Sequence, residues 1–118
     1  MDKTQAQRKR KSRSLTFRHL REQNVQRCNE TWHPVNDWTP EEWMNCLVGE
    51  IGELAGLIKH TRRGETVPKG SIANELADIQ IYLDLLAFRL GVELELAVVR
   101  KFNTTSESVG SDIKLRTG

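Results

Sequence analysis

The sequence predicts an all-α fold, a bundle of four helices, and three observations carry that prediction. Apolar residues recur at intervals of three and four through two long segments, Leu47 to Ile58 and Ile72 to Leu90, the spacing of helices with a buried side. Helix-start signals stand ahead of both, at Thr39-Pro40-Glu41-Glu42 and at Ser71. Nowhere does polarity alternate with the period of a strand, and 37% apolar residues with only 6% aromatics, rich in Leu, Glu and Lys, suit helices better than a sheet. At 118 residues the chain makes one domain, near the size at which oligomerisation often supplies extra burial.

Residues 1–13 carry Lys3, Arg8, Lys9, Arg10, Lys11 and Arg13 against Asp2 alone, so the near-neutral net charge of +2 hides a basic arm on an acidic remainder. No aromatic residue is interleaved with these charges, and the arm is expected to be a disordered, solubilising segment. The helical domain is expected over 14–110 and a C-terminal strap, extended or mobile, over 111–118. Helix one should run from Ser14 to Glu30, with Leu15, Leu20, Val25 and Cys28 on a loose apolar face. A loop with Trp32, His33 and Pro34 leads to the second helix, from Pro40 to about Thr61, with Thr39 as N-cap and Pro40 at its first position. Gly64 and Pro68 break the chain before helix three, Ser71 to Leu90, capped by Ser71 and ended by Gly91 in the left-handed conformation. Helix four, Glu93 to Ser108, should turn Leu96, Val99 and Phe102 to the core.

Helix three has apolar residues on two sides, since Ala77, Ile81, Leu85 and Phe88 lie opposite Ile72, Leu76, Ile79, Leu83 and Leu90. A helix apolar on both faces must be covered on both, so the second face, through Ala77, Ile81, Leu85 and Phe88, is expected to pack at an oligomer interface, in a homodimer or homotetramer. Cys28 and Cys46 belong to no C-x-x-C or Cys/His cluster, which leaves zinc and redox chemistry little support. No apolar run approaches membrane-spanning length and the N-terminus is too basic for a secretory signal; a cytoplasmic protein is expected.

The chemistry should lie in two pairs of carboxylates, Glu50 with Glu53 and Glu75 with Asp78, each three residues apart on a helix. At about 100° per residue, both pairs sit roughly 60° and 120° from their helix's apolar stripe. Packed as an antiparallel hairpin, the two helices would converge four acids at the edge of a shared core, where unbalanced negative charge is costly. An all-oxygen cluster suits a hard divalent cation such as Mg²⁺.

These residues resemble a known family. Gly49-Glu-Ile-Gly-Glu-Leu54, Glu75-Leu-Ala-Asp-Ile-Gln-Ile-Tyr-Leu83 and Lys101-Phe-Asn103 look like the motifs of the all-α nucleoside triphosphate pyrophosphohydrolases of the MazG type, a superfamily that includes dCTP pyrophosphatases. The resemblance covers roughly residues 15–110. It implies a helical bundle in a dimer or tetramer, with Glu50, Glu53, Glu75 and Asp78 as ligands to Mg²⁺, for which Mn²⁺ could substitute. It also implies cleavage of an NTP or dNTP between its α and β phosphates to a monophosphate and pyrophosphate, in nucleotide pool control or house-cleaning. Many members have an acid where this chain has Gly49, which leaves water activation open between Glu53 and Glu50. Lys59, Lys101 and Asn103 are candidates for the phosphates or sugar. Trp32 offers a stacking surface for the base, His33 a hydrogen bond to its edge, and Trp43 is expected to pack.

The competing expectation is a non-catalytic helical module that binds nucleic acid or a protein partner through the basic arm. A carboxylate di-iron bundle fits less well, because such sites use E-x-x-H pairs and neither Glu53 nor Asp78 is replaced by His.

Overall fold

The computed structural model describes residues 14–118; the arm over 1–13, and with it the expectations of disorder and of nucleic-acid binding, lies outside the described residues. Among those described the fold is all-α. Helix α1 spans Phe17–Arg27, α2 Pro40–Arg62, α3 Ser71–Arg89 and α4 Leu94–Ser108. No described helix is long and apolar enough to cross a membrane.

Local chemistry sets the ends of these helices. Thr16 caps α1 by accepting the His19 N–H at 2.9 Å, and Thr39 caps α2 by accepting the Glu42 N–H at 3.2 Å. The expected Ser71 cap is corrected: Gly70, with φ 83°, holds the N-cap position of α3, and the Ser71 hydroxyl donates back to the Pro68 carbonyl at 2.7 Å. Gly91 ends α3 as expected, at φ 72°, with its N–H on the Phe88 carbonyl and the Val92 N–H on that of Ala87. Helix α1 stops short of Glu30 because the chain widens into a π-turn over Cys28–Trp32, followed by a short 3₁₀ turn at Val35–Asp37.

Helices α2 and α3 pair antiparallel, as three contacts along their length show: Glu50 meets Glu75 and Asp78, Trp43 meets Tyr82, and the Trp38 carbonyl ahead of α2 receives Arg89. The core lies at the lower half of this hairpin, where Cys28, Val35, Trp43, Leu47, Leu85 and Leu86 are buried and Val25, Trp38, Ile79 and Tyr82 pack on them. Trp43 is wholly buried, and its indole N–H is satisfied by the Val35 carbonyl at 3.0 Å.

Helix α1 is locked to α3 by a buried polar network that no sequence pattern announced. Asp84, buried among apolar residues, accepts from Arg21 Nε at 3.0 Å and Asn24 Nδ2 at 3.1 Å. Asn24 also donates to the Ile81 carbonyl and Arg21 to that of Val92, so the buried carboxylate is paired and its neighbours are satisfied.

The predicted apolar stripes are rotated from the faces that pack within the protomer. Leu47 is buried, but Ile51 and Ile58 are 45% and 52% exposed, and on α3 Leu76 and Leu90 are 54% and 56% exposed. The face that meets α2 runs through Glu75, Asp78, Ile79, Tyr82, Leu85, Leu86 and Arg89 instead. Helix α4 departs further from expectation: Leu96 and Phe102 are exposed, and it is Ser106 that is buried. The tail lies extended along α4, with the Leu115 N–H and carbonyl both bonded to the Asn103 amide, Lys114 paired with Glu107 at 3.3 Å, and the Gly118 N–H on Glu95.

Candidate metal centre and aromatic cleft

Because the hairpin face passes through the acids themselves, they point between the helices rather than along one edge. Carboxylate oxygens of Glu50, Glu75 and Asp78 lie within 4.8 Å of one another, all three residues half-buried. Glu75 and Asp78 are one helical turn apart on α3 and share a face; Glu50 comes across from α2. Glu53, the fourth expected ligand, is exposed and outside this trio, although its carboxyl reaches that of Glu75.

Glu75 is the electrostatic centre of the group. Its Oε2 is shut away from solvent and finds no hydrogen-bond donor among the described residues. The carboxyl of Glu50 beside it, its own desolvation and the charges of Glu50 and Asp78 raise its pKa, against a smaller lowering by Glu53. Two carboxylates can share a hydrogen bond only if one keeps a proton. Among the described residues, every charge acting strongly on Glu75 is negative, so the position asks for a proton or a cation. An oxygen-only set with an orphaned, desolvated acceptor fits a hard divalent ion.

Tyr82, four residues after Asp78, carries this face onward. Burial raises its phenol pKa first, and then Cys46, Glu50 and Asp78 add to the shift. Beyond it Trp32, His33, Trp38, Trp43 and Tyr82 line a cavity of about 270 Å³. The His33 ring lies 4.5 Å from Trp38 and 5.5 Å from Trp43, and Trp38 lies 4.6 Å from Trp43, all tilted. His33 Nδ1 is 2.9 Å from the Pro34 carbonyl. A carbonyl only accepts, so in the neutral ring Nδ1 bears the hydrogen and Nε2 offers a lone pair.

Of the residues singled out in the sequence, the structure brings Trp32 and His33 to this cleft, Trp32 over half exposed with the Arg27 guanidinium 5.9 Å from its ring. Trp43 packs, as expected, wholly buried behind the cleft. Lys59 and Lys101 are exposed, and among the described residues neither makes an ion pair with the four acids. Lys101 sits beside Ala97, Val98 and Phe102 on α4, and both ends of the Asn103 amide are engaged by Leu115. Tyr82 was missed as a site residue, although its place four residues after Asp78 on one face was a readable signal.

The chain is 35% identical over 92 residues to human dCTP pyrophosphatase 1, a match covering 69% of this chain and 54% of that protein. The rat protein of the same name is 31% identical over 96 residues, covering 72% and 56%, and the bovine one 33% over 93 residues, covering 70% and 55%. The chain belongs to the MazG-like all-α superfamily. No family model matches it, and this MazG-like chain spans about half the length of the curated relatives it matches.

Proposed function

We propose that this chain is a Mg²⁺-dependent nucleoside triphosphate pyrophosphohydrolase, splitting an NTP or dNTP between the α and β phosphates to a monophosphate and pyrophosphate. The observation that carries the reading is the orphaned Glu75 oxygen amid Glu50 and Asp78, on a helix face that continues through Tyr82 into the aromatic cleft. Glu50, Glu75 and Asp78 would hold the cation, with Glu53 beside them. Once bound, the cation neutralises phosphate oxygens and makes a nearby water more acidic. Glu53 or Glu50 takes the proton as the water oxygen bonds to phosphorus and the bond to the leaving phosphate oxygen breaks. Mn²⁺ should substitute.

His33 and Trp38, backed by the buried Trp43, line the space for the base, and Trp32 offers a further face at its mouth. The His33 Nε2 lone pair suits an exocyclic amine on the base, which agrees with the dCTP named for the relatives. The cations for the remaining phosphate charge are proposed to be Lys59 and Lys101, with Lys101 brought up by a second copy. That copy is also proposed to cover Ile51, Ile58 and Leu76 in a homodimer or homotetramer.

The test is pyrophosphate release from a panel of NTPs and dNTPs with Mg²⁺, Mn²⁺ or EDTA, with Glu50→Gln alongside. The expected result is metal-dependent release, strongest for amine-bearing bases, and a loss of at least about a hundredfold in Glu50→Gln. Release that is indifferent to EDTA, or undiminished in Glu50→Gln, would overturn the assignment.

A further inference from the structure

Arg89, the last residue of α3, reaches back to the loop ahead of α2, where its Nε–H donates to the Trp38 carbonyl at 2.8 Å. A basic residue at a helix C-terminus is commonly explained by the terminal carbonyls of its own helix. Arg89 instead directs this N–H to a residue 51 positions away, in a part-buried bond.

Its target is a wall of the aromatic cleft. The rest of the loop is held from within or from α2: the Cys28 thiol donates to the His33 carbonyl, Asn29 Oδ1 accepts the Val35 N–H, and Trp43 donates to the Val35 carbonyl. Those bonds fix His33 and Val35. Trp38 follows the 3₁₀ turn in extended backbone, and its peptide is tied to α3 by Arg89.

We propose that Arg89 is a positioning residue that sets the Trp38 wall of the cleft against α3 and so fixes the cleft's width for a nucleobase. This rests on the reading of the cleft as the base pocket. Arg89 belongs neither to the acid trio nor to the lining of the aromatic cleft, so its effect should fall on base affinity and spare the metal-dependent chemistry.

The experiment compares wild type, Arg89→Ala and Arg89→Lys, the last retaining a donor. Three readouts are taken: KM and kcat for pyrophosphate release, Mg²⁺-dependent binding of inorganic tripolyphosphate as a probe without a base, and fluorine NMR of fluorotryptophan-labelled protein. For Arg89→Ala, KM should rise about tenfold, the scale of one weakened base stack, while kcat and tripolyphosphate affinity stay within about twofold. The Trp38 resonance should shift and that of Trp32 stay. Arg89→Lys should recover most of both effects. An unchanged KM with an unmoved Trp38 would overturn the proposal, and so would an equal loss of nucleotide and tripolyphosphate binding, the mark of general loosening. Were the wild type to hydrolyse no nucleotide, the proposed function would fail by itself. The Trp38 resonance would then decide: unmoved in Arg89→Ala, it overturns the role of Arg89 as well.

Discussion

Glu75 is placed where a carboxylate is least comfortable, facing Glu50 and Asp78 with one oxygen cut off from water. Its raised pKa has a definite sign in the stability of the metal-free protein. Between the unfolded value of about 4.3 and its own raised value, the folded state holds more protons than the unfolded one, so stability falls as pH rises through that window. Thermal melts in EDTA should show this fall, and Glu75→Gln should flatten it and raise the melting temperature at neutral pH. Mg²⁺ should reverse the trend in the wild type, since ligation needs the deprotonated carboxylates, and should leave Glu75→Gln unaffected. A wild-type melting temperature that climbs with pH in EDTA would contradict this account of the site. The acids were legible in the sequence because a three-residue spacing on a helix fixes a shared face. Their convergence across an antiparallel hairpin was expected from the equal offsets, and three of the four meet; that Glu53 stays outside was not legible, because it depends on how α2 and α3 are rotated about their axes.

Helix ends were the most readable elements, since a cap is settled by residues within one turn. Thr39, Pro40 and Gly91 act where their chemistry says they should, whereas Ser71 lost the cap to Gly70, whose left-handed backbone starts the helix without a side-chain bond. Helix α1 had the weakest apolar pattern, and the reason is now visible: it is docked by Arg21, Asn24 and Asp84 as much as by apolar contact. Sequence periodicity does not see a polar anchor. Urea unfolding of Arg21→Ala should show a loss of about 3 kcal/mol, the cost of leaving a buried charge without its partner. Arg21→Met combined with Asp84→Leu should recover most of that loss, because the desolvation of both charges disappears with them. A cost well under 1 kcal/mol for Arg21→Ala would mean that Asp84 is solvated after all.

The protomer keeps Ile51, Ile58, Leu76 and Leu90 at its surface while burying a core centred on Trp43 and Leu85. Apolar periodicity tells that a stripe exists and is silent on what covers it, which is why the sequence assigned these residues to the hairpin's own interior and gave the opposite face of α3 to a partner, although Leu85 on that face is wholly buried within the protomer. Exposed apolar residues at helical spacing on two adjacent helices are of the kind that marks an interaction site. Light scattering on a sizing column should give a mass at least twice the 13.5 kDa of the chain, and Leu76→Glu should bring it down toward the protomer value with helical circular dichroism retained. A wild type that elutes at protomer mass at micromolar concentration would refute assembly through this face.

The π-turn at Cys28–Trp32 has a bearing on how proteins of this kind are compared. Its wider winding takes up one surplus residue between Arg27 and His33, and such insertions recur near functional sites. Without it the following side chains would be turned by roughly 100° about the helix axis, and His33 would no longer stack on Trp38. The cleft is thus written in the length of the chain as well as in its letters: two homologues could share every aromatic residue here and still aim them differently if they differ by a single gap.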